Sequence, residues 1–487
     1  MEAAKLAAVF ALLLSSVNSA AQVQGKIVDV IPKSFSSETN QESEPSLTIN
    51  PLHPLQMAIS AFTPGISYCS AKLAPIFFTE DGGMTWNLKC WLPSATWTAD
   101  ATLRFSPSGQ LYAGILRQPD FWLLVLRGSV PTNSSLQSIL VRKPPDSKHI
   151  IDQPYLETAQ GSTGGIYVGE NDLRTNNPDG APTASMDDSY DAGNTTPAFQ
   201  FGKVDKRSSW FDLPPIRPAI HKDGTVYAAY IAIHGYDDTL KQLIGDVVVA
   251  RGHRDSTTHV LSFAELKDAA DLIVGNRVVR DLRFPYDPQD VPCCLGQQRY
   301  QASLSIAVDP ANSKKVYLAW ADLTQNTYTL HVRSSEDSGL TWSPADIWTK
   351  ASATNPALAV DDREVVGFLY QQLTTENGIQ KWETALERSG ATKSLILAKA
   401  PALVPVRAFH PYLGDYLELH AMGNDFYGVF SANNTPDPDY FPTMFPTFSR
   451  NYDKNNHVLQ GVDGAGVPVS IDPFFFQIED GGAKSSP

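Results

Sequence analysis

Seven stretches of this 487-residue chain share one pattern. Each begins with polar residues, continues as an alternating strand, turns, and ends in a second apolar strand, which is typical of a β-hairpin. The seven copies span residues 44–62, 99–116, 152–171, 217–232, 301–322, 355–372 and 410–430, and their starts lie 53 to 84 residues apart. Because this spacing accommodates one four-stranded sheet with its loops, the chain is predicted to repeat a single sheet unit.

Seven repeated sheets predict an all-β fold with seven blades around one channel, a β-propeller. A six-bladed ring is the alternative, and it requires one hairpin to be an excursion. The ring must close because an open propeller leaves unpaired strand edges. We expect residues 26–32 to close it as an outer strand near residues 470–478. Residues 22–487 then form one domain.

A nonapeptide occurs twice, as FTEDGGMTW at 78–86 and as SSEDSGLTW at 334–342. In both copies an Asp can accept hydrogen bonds from turn amides, a Gly permits positive φ, and a Trp packs beneath the turn. The pattern resembles the Asp-box, or BNR repeat, of sialidase-like β-propellers. The resemblance implies a β-propeller of that type, and it implies little about chemistry because the box serves the turn.

The first 21 residues are predicted to be a secretory signal peptide, with Lys5 ahead of the apolar run LAAVFALLL and small residues after it. A buried N-terminal helix is the alternative. No stretch is long and apolar enough to predict a membrane span. The protein is therefore expected to be secreted or to lie in the lumen of the secretory pathway.

Secretion also predicts glycans and disulfides. Three sequons mark candidate glycosylation sites, at Asn133, Asn194 and Asn433.

The four cysteines are expected to pair in an oxidising compartment. Cys69 and Cys90 flank one hairpin and are predicted to form a disulfide, and the adjacent Cys293 and Cys294 to form a vicinal one. Pairing between the two sets is the alternative. None of the cysteines has the spacing of a zinc site, and no metal is expected.

The net charge of the chain and the motifs that its sequence lacks exclude several classes of function. A formal charge of −14 argues against nucleic acid or anionic lipid as a partner. The sequence has no phosphate-binding glycine loop, dinucleotide fingerprint or nucleophile elbow, so no cofactor is expected. Residues 170–194 are acidic and can bind calcium through Asp187, Asp188 and Asp191, but they lack the spacing of an EF-hand, and a solvated excursion is favoured.

Polar residues near the starts of the seven inner strands should converge at one mouth of the channel, which makes that mouth the candidate site. Candidate catalytic donors there are Arg217, Arg299 and His410, and candidate substrate-binding residues are Glu44, Trp97, Gln153, Tyr155, Tyr300, Asn355 and Tyr412. Structural roles are the alternatives: either arginine can pair with Asp100 or Asp152. His410 can tie the last blade to the first, and Asp415 and Tyr416 can anchor a strand or turn.

The Asp-box resemblance makes a sialidase-like glycoside hydrolase one candidate. Such enzymes have an Arg triad, a Tyr nucleophile paired with Glu, an Asp acid, and an Arg-Ile/Leu-Pro motif ahead of the first box. That motif is missing near the start of this sequence, and Arg217 and Arg299 have no evident third partner. A hydrolase acting on acidic sugars, or a related polysaccharide lyase, is kept as an alternative.

A second resemblance covers more of the chain. The segments ETNQESEPSLTINP, LGQQRYQASLSIAVDP, HPYLGDYLELHAMGNDFYGVF and SIDPFFF look like a secreted Asp-box propeller group of bacteria and fungi. Within it the chain looks most like the fungal hetero-Diels–Alderases of tropolone–sesquiterpenoid biosynthesis.

This resemblance implies that a tropolone-derived o-quinone methide reacts with humulene or a hydroxyhumulene. Such a pericyclase needs an apolar pocket that holds both reactants, and hydrogen-bond donors that polarise the quinone methide oxygen. A non-catalytic propeller that binds a glycan or a protein is a third hypothesis.

Overall fold

The structure is a computed structural model, and every regular element it describes is a β-strand. The described residues are 24–32, 35, 40–63, 74–92, 97–132, 135–144, 149–159, 165–174, 184–209, 215–285, 297, 303–324, 326–402, 404–405, 413–435, 451–453, 458–460 and 464–479. The predicted signal peptide lies outside these residues. In the described part of the chain, no helix is long and apolar enough to cross a bilayer.

The first three blades are antiparallel four-stranded sheets whose strands follow one another in chain order. Blade 1 contains β2 (Ser43–Ile49), β3 (Met57–Phe62), β4 (Ile76–Thr79) and β5 (Asn87–Lys89). Blade 2 contains β6 (Trp97–Phe105), β7 (Leu111–Gln118), β8 (Trp122–Gly128) and β9 (Gln137–Arg142). Blade 3 contains β10 (His149–Thr158), β11 (Ile166–Arg174), β12 (Ala184–Ser189) and β13 (Gln200–Lys203).

The next three blades repeat this arrangement, with one extra strand in blade 4. Blade 4 contains β14 (Ile216–Ile220), β15 (Thr225–Asp237), β16 (Gln242–Arg254), β17 (Leu261–Ser262) and the added β18 (Asn276–Pro285), which pairs with β16. Blade 5 contains β19 (Leu304–Val308), β20 (Val316–Thr324), β21 (Thr327–Ser335) and β22 (Trp348–Ala351). Blade 6 contains β23 (Ala353–Val360), β24 (Val366–Glu376), β25 (Ile379–Arg388) and β26 (Leu395–Pro401).

Blade 7 closes the ring with strands from both ends of the chain. It contains β27 (Glu418–Met422), β28 (Asp425–Asn433), β32 (Ile471–Glu479) and β1 (Gln24–Asp29). The pairing of β1 with β32 confirms the predicted closure. A small separate sheet is inserted before β32, with β29 (Asn451–Asp453), β30 (Val458–Gln460) and β31 (Gly466–Val467).

The inner strands of neighbouring blades contact one another in order around the axis, from β2 through β6, β10, β14, β19 and β23 to β27, which contacts β2 again. Apolar side chains fill the space between blades: Ile76 and Phe78 of blade 1 pack with Leu103 and Ile115 of blade 2. The prediction of a seven-bladed β-propeller is confirmed, and a six-bladed ring is excluded.

The duplicated nonapeptide forms the same turn in blades 1 and 5. Asp81 Oδ1 accepts hydrogen bonds from the amides of Met84 and Thr85 at 3.0 Å, and Asp81 Oδ2 accepts one from the Thr85 hydroxyl at 2.6 Å. Asp337 accepts the equivalent bonds from the amide and hydroxyl of Thr341 at 2.8 and 2.6 Å. The two segments therefore repeat because they build the same turn between the two outer strands of a blade.

Blade 3 contains a related turn that the sequence analysis missed. The Ser189 hydroxyl donates to Asp191 Oδ1 at 2.9 Å, and Asn194 Nδ2 donates to Asp191 Oδ2 at 3.1 Å. The segment SYDAGNT at 189–195 keeps the Ser, Asp, Gly and Thr of the pattern but lacks the Trp. A search that relaxed the Trp would have found it.

Candidate functional site

A cavity of about 520 Å³ lies on the propeller axis and is lined by residues from all seven inner strands. Pro51, Pro310 and Gly423 line it just beyond the ends of β2, β19 and β27. The cavity therefore reaches the mouth at which the inner strands end, which we call the end mouth. The predicted site was at the opposite mouth, where the inner strands begin, which we call the start mouth.

Arg217 of β14 lines this cavity and is buried, with 4% of its surface exposed. Its guanidinium carbon lies 4.6 Å from the ring centroid of Tyr155 and 5.8 Å from that of Tyr416. Its one hydrogen bond among the described residues is a long one to the Ile216 carbonyl, at 3.4 Å. Burial lowers the pKa of this guanidinium. The site thus holds a positive charge inside the protein, within cation–π distance of two aromatic rings.

Arg217 forms no ion pair with any carboxylate of the described residues. Asp100 and Asp415 act on it only by attraction over a longer distance. The alternative that Arg217 neutralises Asp100 or Asp152 is therefore not what the structure shows. A buried charge without a partner is costly, because burial removes its hydration. Arg217 is thus the strongest ligand-binding candidate among the described residues.

The two tyrosines beside Arg217 retain their protons. Burial raises the pKa of Tyr155, and the carboxylates of Glu418 and Glu157 raise it further, although nearby arginines oppose the shift. Burial also raises the pKa of Tyr416, with added contributions from Asp100 and Glu44. The buried Tyr416 hydroxyl has no hydrogen-bond partner among the described residues. At neutral pH both phenols are therefore protonated, and they can act as hydrogen-bond donors.

A buried ion-pair network lies next to Tyr155, and the sequence analysis missed it. Arg104 of β6 binds Glu418 of β27 at 3.0 Å and Glu157 of β10 at 2.8 Å. The hydroxyl of Ser46 and the amide of Leu47 also donate to Glu418, at 2.9 and 2.7 Å. The network joins blades 1, 2, 3 and 7 across the axis.

The network fixes the charges on its members. Although burial opposes its ionisation, the Arg104 guanidinium lowers the pKa of Glu418, which stays a carboxylate. Charged residues in the middle of the central strands TLRF (102–105) and YLET (155–158) were a usable signal, because a charge within a buried strand needs a partner.

Three predicted substrate-binding residues do converge, but on a protein segment. Glu44 Oε1 accepts a hydrogen bond from the Asp415 amide at 3.2 Å, and Gln153 Nε2 donates to Asp415 Oδ2 at 3.2 Å. Asn355 Nδ2 donates to the Gly414 carbonyl at 3.1 Å. All three side chains are buried. They hold residues 413–416 near the start mouth and thereby position Tyr416 beside Arg217.

The same three residues share an unusual backbone. Glu44, Gln153 and Asn355 have φ values of +53°, +48° and +53°, and each lies at a bulge near the start of its inner strand. Left-handed conformations cost about 1 to 3 kcal/mol at non-glycine residues, so the surrounding structure must enforce them.

A short sequence signal accompanies this geometry. Each of the seven repeats contains a four-residue motif: a polar residue, then Pro or Ala, then any residue, then Leu or Ile. The seven copies begin at residues 44, 100, 153, 217, 301, 355 and 410. This motif would have aligned the inner strands of blades 1 to 6 more sharply than hairpin patterns do, whereas its seventh copy ends at Leu413, before β27 begins at Glu418.

Other predicted site residues are not located by the structure. Arg299, Tyr300, His410 and Tyr412 lie outside the described residues, and Trp97 is described only as the first residue of β6. Their proposed roles stay predictions.

The predicted modification sites are located in part. Cys90 takes part in a disulfide, while Cys69, Cys293 and Cys294 lie outside the described residues, so the pairing stays a prediction. Asn133 is also outside them.

The two described sequons differ in exposure. Asn194 is exposed. Asn433 is 2% exposed, and its amide nitrogen donates to the Val404 carbonyl. A glycan needs the Asn433 amide nitrogen to be accessible, so the burial of this side chain in the folded protein weighs against the site.

The acidic stretch does not assemble the calcium site that was considered. Asp187 pairs with Arg142 at 3.2 Å, and Asp188 pairs with Arg254. Neighbouring residues of a strand point to opposite faces of the sheet, and Asp191 caps its own turn. These three carboxylates are therefore occupied by structural partners.

Blade 4 holds another set of potential metal ligands, whose ligand atoms lie within 4.8 Å of one another. They belong to His234, Asp246 and Asp281. Arg277 lies 3.8 Å from Asp246, so a cation already occupies part of this environment.

The geometry defines a seven-bladed β-propeller whose central cavity holds a buried guanidinium that no carboxylate of the described residues pairs. No protein-family model matches the chain, and no curated protein matches it in sequence.

Several solved structures match the chain at low identity. A protein of unknown function from Dyadobacter fermentans is 9% identical over 93% of this chain and 98% of its own, with a TM-score of 0.43. An α-L-arabinanase from Penicillium chrysogenum is 11% identical over 75% of this chain and 98% of its own, with a TM-score of 0.44. The Hadza microbial sialidase Hz136 is 12% identical over 78% of this chain and 72% of its own, with a TM-score of 0.39. Similarities this low carry no argument about activity.

Proposed function

We propose that the central cavity is the reaction site of an enzyme that acts on a small organic molecule carrying an anionic or strongly polarised oxygen. One observation supports this most directly: Arg217 lines the cavity and has no carboxylate partner among the described residues. A ligand oxyanion at Arg217 supplies the missing counter-charge, and a charge-assisted hydrogen bond to it is among the stronger polar contacts in proteins.

The surrounding groups favour electrostatic catalysis. Tyr155 lies against Arg217 and retains its proton, so its hydroxyl can donate to an oxygen on which negative charge develops. Donors that are already oriented in a water-poor site stabilise such charge more than water does. The Arg104 network holds the inner strand that carries Tyr155, and thereby fixes the position of this donor.

One reaction class is the hydrolysis or elimination of an acidic glycoside. Arg217 would bind the substrate carboxylate, and a protonated tyrosine would give its proton to the departing glycosidic oxygen. In hydrolysis, water would add to the anomeric carbon and return a proton to the tyrosinate, and in elimination the tyrosinate would take the proton α to the carboxylate. This class is favoured by the adjacency of a guanidinium and two phenols.

The second class is the hetero-Diels–Alder reaction that the sequence resemblance implies. Arg217 and Tyr155 would polarise the oxygen of an o-quinone methide, and the cavity would hold the terpene in a near-attack pose. The apolar residues of blades 5 to 7 in the cavity favour this class. We further propose, from the signal-like N-terminus, that the protein enters the secretory pathway.

A substrate panel separates the two classes. Purified protein is incubated with a fluorogenic sialoside, with polyuronates, and with a hydroxymethyl tropolone plus humulene. Release of fluorophore or an unsaturated uronate identifies the first class, and one stereoisomeric adduct formed above the background rate identifies the second.

The panel is repeated with Arg217→Met, Arg217→Lys and the exposed control Lys241→Met. We expect Arg217→Met to abolish the activity, Arg217→Lys to retain part of it, and Lys241→Met to behave as wild type. Activity that survives Arg217→Met contradicts the proposal.

A further inference from the structure

The cavity has two unlike sides. Arg104, Tyr155, Glu157, Arg217 and His221 line it from blades 2, 3 and 4. These blades supply most of its charged and aromatic groups. Arg104 is matched by two carboxylates, whereas Arg217 is matched by none among the described residues. Among the described residues, this side therefore has one buried positive charge without a carboxylate partner, on Arg217, and Lys222 adds an exposed one.

The opposite side is largely aliphatic. Ile306 and Val308 of blade 5, Leu358 and Val360 of blade 6, and Ala421 and Met422 of blade 7 line the cavity there. Val308, Ala421 and Met422 keep part of their surface exposed, so a ligand can reach them.

Only three of the described side chains that line the cavity from blades 5 to 7 are polar: Ser305, His420 and Asp362. The Ser305 hydroxyl already accepts a hydrogen bond from the Leu358 amide at 3.1 Å, and His420 is bonded to Glu418 at 3.2 Å. Asp362 lies beyond the end of β23. A sugar ring presents hydroxyl groups in all directions, and burying one against aliphatic side chains leaves those hydroxyls unpaired.

From these two sides we propose that the ligand is an amphipathic monoanion, with its anionic group on Arg217 and a hydrocarbon body against the aliphatic side formed by blades 5 to 7. This inference rests on the proposed function, because it takes Arg217 as the anion anchor. It adds the substrate class and the specificity-determining residues, Val308 and Ala421. A cavity of about 520 Å³ has room for such a body.

A homologous series of straight-chain carboxylates tests the inference without knowledge of the natural substrate. Calorimetric titration compares butyrate, hexanoate, octanoate and decanoate with glucuronate, a hydrophilic monoanion. We expect the dissociation constant to fall about three- to fourfold for each added methylene until the cavity is filled. Glucuronate should bind no more tightly than butyrate.

Two substitutions localise the hydrocarbon side. Val308→Thr keeps the side-chain shape but adds a hydroxyl, and Ala421→Leu fills space in the cavity. Val308→Thr should weaken octanoate binding at least fivefold and leave butyrate binding within twofold. Ala421→Leu should shorten the preferred chain, and it provides an independent test if Val308→Thr does not fold. The matched control is Val141→Thr, at an exposed position on β9, and it should change neither octanoate binding nor butyrate binding.

The outcomes separate this inference from the proposed function. If carboxylates bind only when Arg217 is present but gain nothing from chain length, the anion anchor stands and the amphipathic inference is wrong. Equal loss of butyrate and octanoate binding in Val308→Thr also overturns it. If no carboxylate binds in a manner that depends on Arg217, the proposed function itself fails.

Discussion

The guanidinium carbon of Arg217 lies 4.6 Å from the ring centroid of Tyr155, so a charge from blade 4 stacks on an aromatic ring from blade 3. The pair lines the central cavity. Because Arg217 has no carboxylate partner among the described residues, the Tyr155 ring helps to support its charge. In the proposed function, the ring and the hydroxyl of Tyr155 have separable roles, one in packing and one in chemistry.

Tyr155→Phe separates these roles. The substitution keeps the ring under Arg217 but removes the proton donor, so we expect the turnover number to fall about 100-fold with little change in stability. Activity assays on the substrate identified by the panel, combined with thermal denaturation, measure both effects. Unchanged turnover would show that the hydroxyl takes no part in the reaction.

The Arg104 network should be essential for folding. Arg104→Met leaves Glu418 buried without its cation, and breaking a buried pair in this way costs about 3 to 5 kcal/mol of unfolding free energy. Urea denaturation measures the loss. Lys315→Met, which breaks the exposed pair with Glu364, should cost less than about 1 kcal/mol. Equal effects of the two substitutions would contradict the assigned role of the network.

Asp187 should make stability depend on pH. Burial raises its pKa to about 6, although Arg142 acts in the opposite direction. Since the folded protein then holds the proton more tightly than the unfolded chain, this group stabilises the fold below about pH 4, and its contribution is lost as the pH rises to about 6.

The comparison with Asp187→Asn isolates this contribution. From acid to neutral pH, the wild type should lose about 2 to 3 kcal/mol of unfolding free energy relative to Asp187→Asn. Urea denaturation at pH 4 and pH 7.5 measures the difference, and the exposed Asp238→Asn serves as the control. A wild type that gains stability relative to Asp187→Asn as the pH rises would reverse the assignment.

Gly83 is predicted to tolerate no side chain. It has a φ of +88°, and an added Cβ would lie 2.3 Å from the Phe475 ring, where the turn of blade 1 meets blade 7. We expect Gly83→Ala to destabilise the fold by about 2 to 4 kcal/mol. Gly202→Ala, where no atom lies within 4 Å, should change stability by less than about 0.5 kcal/mol. Similar unfolding midpoints for both variants would contradict this packing.

The sequence predicted the features that depend on local pattern. Hairpins repeat because every blade needs the same strand alternation, and the closure of blade 7 followed from the requirement that no strand edge stay open. The turns at Asp81 and Asp337 were predictable because their hydrogen bonds stay within a few residues.

The features that were missed depend on contacts between distant segments. Arg104 and Glu418 are 314 positions apart, and their meeting depends on how the inner strands pack around the axis. In the same way, Glu44, Gln153 and Asn355 were expected to surround an open mouth, but residues 413–416 occupy the space between them. Sequence periodicity indicates which residues belong to inner strands and does not indicate what fills the centre.

The most direct test of the central claim is a crystal structure of the protein with 6-bromohexanoate, in which anomalous scattering locates the bromine. The account predicts the carboxylate within about 3 Å of the Arg217 guanidinium and the bromine next to Val308 or Met422. A carboxylate bound elsewhere, or an Arg217 side chain paired with a carboxylate of the protein itself, would contradict it.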